Sequence, residues 1–152
     1  MRVSTKSDYA LRALIEITAH TGASLLSAED LGQRQDIPHG YLQTILADLR
    51  RAGFISSQRG PSGGWRLAEA AERISVADVI RAVDGPLVSV YGIRPESVSY
   101  NAAADGLQQV WIAARTSLRD VLEHVTVADL ASRKLPPAVM NRIADQDAWE
   151  PR

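Results

Sequence analysis

The sequence contains no cysteine. Disulfides, thiolate-held metals or clusters, and cysteine nucleophiles are thereby excluded, and the absence agrees with a cytoplasmic home. No apolar run reaches the roughly 18 residues of a membrane helix, so no membrane partner is expected. The opening residues, MRVSTKSDYALRAL, meet charges before any apolar stretch of signal-peptide length. Enzymatic signatures are missing as well. Glycines 60, 63 and 64 are not followed by the Lys-Ser/Thr of a phosphate-binding loop, and no Gly-x-Ser-x-Gly elbow occurs. His20, His39 and His124 fall on separate predicted elements, so neither a triad nor a metal site is expected. The chain is read as a non-enzyme without a cofactor.

A strong net charge is lacking too, the total being −1. The sum conceals an asymmetry: through Leu67 eight Lys and Arg face six acids, and beyond it nine face twelve. The N-terminal half is thus the side suited to a polyanion. With 152 residues the chain can form one domain with an appended arm, burying about 68–70% of its unfolded surface without staples.

Apolar spacing then sets out the elements. Tyr9, Ala10, Ala13, Leu14 and Ile17 predict a helix over residues 7–20, ended by Gly22. Ser27 and Asp30 form a capping box for a short second helix around Leu31. The Asp36-Ile37-Pro38 turn leads into a third helix, whose apolar face is Tyr41, Leu42, Ile45, Leu46 and Leu49. Two β-like runs, 54–57 and 65–67, flank a Gly-rich loop, and a further helix starts at Ser75 and breaks at Asp84-Gly85-Pro86. Residues 86–103 have no steady period and read as a loop. Leu107, Val110, Trp111, Ala114, Leu118, Val121, Leu122 and Val125 mark a long amphipathic helix over 104–124, with a helical turn at 127–131 and a loosely ordered tail over 132–152.

Helix, short helix, turn, helix and two-stranded ribbon is the order of a winged helix-turn-helix, in which the last helix of the pair enters the major groove. The fold is therefore expected to be mainly α with a small β-ribbon. Residues 1–85 would form the DNA-binding domain, 86–103 an effector-loop region, and 104–131 a dimerisation helix with its closing turn. Around the apolar stripe of the third helix stand His39, Gly40, Gln43, Thr44, Ala47, Asp48, Arg50 and Arg51. Gln and Thr near the helix start suit base edges, and the terminal arginines suit phosphates. A solvated helix face would carry similar residues. A winged domain used for protein docking, without DNA, is the alternative reading.

Six motifs in order carry a family resemblance: STKSDYALRAL (4–14), YLQTIL (41–46), LRRAG (49–53), RGPSGGWRL (59–67), ISVADVIRAVDGP (74–86) and VADL (127–130). Over residues 1–131 the chain resembles the Rrf-two family of bacterial winged-helix regulators, the IscR, NsrR and CymR group. The resemblance implies a homodimeric transcription factor that reads a pseudo-palindromic operator on double-stranded DNA, and a repressor is the expected kind. It implies Thr5, Lys6 and Tyr9 near phosphates and residues 39–44, Tyr41 included, at the major groove. Arg59, Gly60, Pro61, Ser62, Gly63 and Gly64 would be a wing at the minor groove. Ser27 could bring its helix N-terminus to a phosphate, although capping alone accounts for it. The apolar stripe of the long helix would pair across a two-fold axis.

Two departures from the family pattern bear on function. Pro38 and Gly40 stand where many members have serines, so an operator sequence is not transferable. Cluster-binding members carry three cysteines before the long helix, and residues 87–105 have none. A small ligand or partner protein acting on Tyr91, Arg94, Glu96 and Tyr100 is one expectation for this loop; a constitutive repressor without a ligand is the other.

Overall fold

The computed structural model describes residues 2–151. Helix α1 (Thr5–Ala19), α2 (Ala28–Gln35) and α3 (His39–Arg51) precede a ribbon of β1 (Ile55–Gln58) and β2 (Gly64–Leu67). Helices α4 (Val76–Asp84), α5 (Gly106–Leu122), α6 (Val127–Ser132) and α7 (Pro137–Arg142) follow, with short 3₁₀ turns between. The winged helix-turn-helix order stands as expected.

The core is aliphatic. Leu14 of α1, Leu31 of α2, and Leu42, Ile45, Leu46 and Leu49 of α3 are all fully buried, with Ile55, Ile74, Val79 and Val127 around them. Each such side chain stabilises the fold by about 1.5–3 kcal/mol relative to exposure. Tyr41, counted with the apolar face of α3, is instead exposed, because its ring meets the edge of Tyr9 outside this core.

Helix starts repeat one device. Ser27 with Asp30, Ser75 with Asp78 and Thr126 with Asp129 each form a reciprocal capping box. Aspartate is short for this role, yet its Oδ2 reaches the cap amide at 2.9 Å in the first box and 2.8 Å in the third. The second and third caps also pair with each other as an isolated antiparallel bridge. The Val76 amide donates to the Val125 carbonyl, and the Val127 amide to the Ile74 carbonyl, both at 2.9 Å.

That bridge relocates the closing turn. Residues 127–131, grouped in the sequence reading with the dimerisation helix, return to the winged core, where Val127 is fully buried. Residues 132–152, expected to be loose, carry α7 and a turn at Gln146–Trp149 whose indole donates to the Ile143 carbonyl at 2.9 Å. Pro137 at the first helical position of α7 is the local cause. The 86–103 segment is irregular but packed, with Val88, Pro95 and Val98 buried.

The ribbon is antiparallel, Ile55 opposite Leu67 and Gln58 opposite Gly64. The Trp65 amide donates at 2.8 Å to the Leu26 carbonyl, which adds a one-residue third strand and ties the wing to the α1–α2 connection.

Candidate nucleic-acid interface

Helix α3 starts without a capping side chain, since Pro38 occupies the cap position. The amides of His39 and Gly40 precede the first intrahelical bonds, which run from Tyr41 and Leu42 to the Pro38 carbonyl. A Cβ at Gly40 would meet nothing within 4 Å, so bare backbone is presented there. Pro38 and Gly40 remove the hydroxyls a serine would bring and leave an open helix end with positive dipole character.

Along the outward face of α3, His39, Gly40, Tyr41, Gln43, Thr44 and Arg50 are exposed. Gln43 Nε2 is hydrogen-bonded to His39 Nε2 at 2.9 Å, one turn apart, so the two side chains act as a unit. Tyr41 packs edge-on against Tyr9 with ring centroids 5.8 Å apart, and the Arg12 guanidinium lies over the Tyr9 ring. Thr5 is exposed at the start of α1, next to Ser4, whose hydroxyl caps that helix.

Three candidate residues are already engaged inside the protein. Lys6 Nζ lies 2.5 Å from Asp48 and donates to the Val83 carbonyl at 2.9 Å. Asp48, expected on the polar flank of α3, is buried, and Arg51 also reaches it at 2.8 Å. The Lys6 hydrogen bond, helped by both positive charges, holds the Asp48 carboxyl below the usual carboxylate range despite burial. The Ser27 hydroxyl accepts from the Asp30 amide and donates to its carboxylate, so capping uses both of its functions.

Other cations of α3 and the ribbon have no acidic partner. The side chains of Arg50 at the end of α3 and Arg59 at the wing tip have no hydrogen-bond or ion-pair partner among the described residues. Arg66 on β2 has only the Ser56 hydroxyl, at 3.3 Å. Arg66 was not among the sequence candidates, although its place beside the Gly-rich loop was the available signal.

The wing glycines divide by cause. A Cβ at Gly63 would stand 2.2 Å from the Gln58 carbonyl, and one at Gly64 would stand 2.6 Å from the Leu26 carbonyl. These two are required by the turn packing on its own backbone and on Leu26. Gly60, at φ 104°, lies in open space and only its backbone conformation demands glycine.

The long-helix residues also separate. None of the residues of α5 is fully buried, and Leu107 and Val110 are 42% and 54% exposed. Ala114 and Val121 are half-buried; Leu118 and Leu122 face the start of α1 and α4 across a shallow cleft. Trp111 donates to the Tyr100 hydroxyl at 3.1 Å, and Gln108 to the Val98 carbonyl at 2.8 Å, which anchors the 86–103 segment on α5. Val125 lies past the helix end and is buried against α4, so the expected place in a dimer stripe is corrected: it is a residue of the monomer core. Of the loop residues, Tyr91 is almost fully exposed with positive φ, Glu96 is bonded to Arg115, and Arg94 is exposed.

A family model described as Rrf2, iron-dependent transcriptional regulator, matches residues 3–133. The Mycobacterium tuberculosis (strain H37Rv) protein Rv1287 is 39% identical over 150 residues, which are 99% of this chain and 93% of the relative. The HTH-type transcriptional regulator CymR of Bacillus subtilis is 31% identical over 132 residues, 87% of this chain and 91% of CymR. The solved structure of CymR (YrzC), the global cysteine regulator of B. subtilis, superposes with a TM-score of 0.73, covering 88% of this chain and 98% of that one at 31% identity. T. potens IscR superposes at 0.68 with 28% identity, over 100% of this chain and 93% of that one. The family description names iron, but this chain has no thiolate, and no three His, Asp or Glu side chains are gathered to hold a metal among the described residues. Its donor set does not fit an iron–sulfur cluster. Its relatives are regulators and not enzymes, and with a family match over residues 3–133 the chain belongs to the Rrf2 family of DNA-binding transcriptional regulators.

Proposed function

We propose that the protein is a homodimeric, cytoplasmic repressor that reads a pseudo-palindromic operator without a bound cluster. The start of α3, with His39, Gly40, Gln43 and Thr44, enters the major groove, and Arg59 carries the wing into the minor groove. The observation that carries this reading is the distribution of uncompensated charge. Arg50, Arg59 and Arg66 lack acidic partners on the helix and ribbon that a winged domain turns to DNA, whereas Lys6 and Arg51 share the single carboxylate of Asp48. Unpaired arginines at a wing tip suit phosphate or a narrow minor groove.

The exposure of α5 supports dimerisation through it. A 17-residue helix with no fully buried residue has an apolar side left open at Leu107 and Val110. Pairing two copies there would bring two winged domains into the symmetry of a two-fold operator. A dimer seated on its operator excludes polymerase from an overlapping promoter, which makes repression the expected output. Residues 86–103, anchored to α5 through Gln108 and Trp111, are the segment through which an effector would act.

Genome-wide selection of bound DNA fragments tests the reading directly, followed by titration of a selected operator at several salt concentrations. Recovery of a shared two-fold motif, with affinity falling as salt rises by a slope of roughly −0.9 per neutralised phosphate, is the expected result. No enrichment and no salt-dependent binding would leave a protein-docking module in its place.

A further inference from the structure

Between α4, the 86–103 segment and the last turns of α5 lies an open cleft of about 410 Å³. Its walls include Arg81, Arg94, Arg115, Arg119, Glu96 and Leu87. Four guanidiniums thus converge on one opening of small-molecule size, with Glu96 the one carboxylate among its lining residues.

Existing partners neutralise only part of this charge. Glu123 accepts from Arg119 Nε at 2.9 Å and also pairs with Arg81, while Asp78 lies 3.4 Å from Arg81. Glu96 pairs with Arg115. The Arg94 guanidinium has no hydrogen-bond or ion-pair partner among the described residues. A guanidinium has five N–H donors; Arg115 and Arg119 each commit one to a carboxylate.

Helix ends explain two of these arginines. Arg81 and Arg119 stand in the last turns of α4 and α5, where the helix dipole favours cations. Arg115 is in the body of α5 and Arg94 is on the loop, so neither has that reason to line the same opening. Both carboxylates are held below the usual range, Glu123 by hydrogen bonds from Arg119 and Arg81, Glu96 by a hydrogen bond from its own amide and then by Arg115. They stay ionised near neutral pH, so a ligand must use Arg94 and the uncommitted donors.

We propose that this cleft binds a small molecule bearing two or more oxyanion groups, phosphate or carboxylate, as the regulatory ligand of the protein. The proposal rests on residues 86–103 being the effector-responsive segment and names the chemistry of that effector. An anion held by Arg94, Arg115 and Arg81 ties the loop, α5 and α4 together. Helix α4 then leads to the DNA-binding face: two residues past Arg81, the Val83 carbonyl accepts from Lys6, which holds Asp48 of α3. Next in chain, Asp84 accepts from the Ser4 and Ser7 hydroxyls at the start of α1.

Calorimetric titration of the full chain with inorganic pyrophosphate and, separately, with citrate tests the site, with ionic strength held constant by KCl. Saturable binding of at least one is expected, and the pattern separates a phosphate ligand from a carboxylate one. Arg94→Gln should weaken that binding about tenfold or more, as for a charged hydrogen bond, while Arg142→Gln, outside the cleft, should leave it unchanged. No saturable binding of either anion, or equal binding by wild type and Arg94→Gln, overturns the site. The same anion should change operator affinity several-fold in wild type and not in Arg94→Gln; an unchanged affinity with the cleft saturated overturns its regulatory role. Because the calorimetry contains no DNA, its failure is separable from failure of operator binding.

Discussion

Lys6 and Asp48 form an internal strut. The ammonium lies 2.5 Å from the carboxylate and donates at 2.9 Å to the Val83 carbonyl, so a single side chain joins α1, α3 and the end of α4. A lysine that family resemblance sets beside a phosphate therefore also braces α3, whose Leu42, Ile45, Leu46 and Leu49 seat it on the core.

Lys6→Met is expected to lower stability by about 1–3 kcal/mol, less than breaking a fully buried pair because Lys6 keeps solvent contact. If its charge is taken up by Asp48, the salt slope of operator binding stays unchanged; a slope reduced by about one would return Lys6 to a phosphate. The pH dependence has a definite sign. Lys6 lowers the Asp48 carboxyl in the folded state, so the contribution is complete above the ordinary aspartate range near pH ~4 and is lost as pH falls through the folded value. Denaturant midpoints of Asp48→Asn should fall below wild type at neutral pH and converge with it in acid.

Arg59 has no intramolecular partner, so its removal should leave melting unchanged while weakening binding to a verified operator by about 1–3 kcal/mol. Fluorescence anisotropy beside a thermal melt separates the two effects. Equal affinity of Arg59→Ala and wild type removes the residue from the interface.

At the wing, Gly63→Ala forces a Cβ to within 2.2 Å of the Gln58 carbonyl, whereas Gly60→Ala meets nothing within 4 Å. Gly63→Ala should therefore disrupt the β1–β2 turn, with a loss of about 1–3 kcal/mol typical of strained backbone. Gly60→Ala should cost less, limited to its positive φ. Hydrogen exchange at the Trp65 amide, bonded to Leu26, reports whether the ribbon has come apart.

Two valines discriminate dimer from monomer core. Val110→Glu, on the open side of α5, should give a monomeric mass by light scattering with folding retained. Val125→Ala should keep the assembly state and destabilise each subunit by about 2 kcal/mol through lost burial. A wild-type protein of monomeric mass at micromolar concentration would contradict the two-fold arrangement itself.

Much of this was legible because it is local. Capping-box spacing, the Asp36-Ile37-Pro38 turn and the stripe of Leu42, Ile45, Leu46 and Leu49 are written within a few residues of where they act. The wing was legible from its glycines, arginine and proline, but what requires Gly63 and Gly64 was not. Their clashes are with Gln58 and Leu26, and contact with Leu26 is set by folding rather than by neighbouring sequence. Long-range pairs were not readable: nothing near Lys6 announces Asp48, and nothing near Val125 announces Val76.

The sequence by itself determined the order of elements, the winged helix-turn-helix class, the family, and the impossibility of a thiolate-held cluster, since each depends on residue type and short-range spacing. Tertiary structure alone decided which cations remain available. Charges pair through space, so Lys6 meets a carboxylate 42 positions away, while Arg50 and Arg59 are left without an acidic partner and Arg81, Arg94, Arg115 and Arg119 line one cleft.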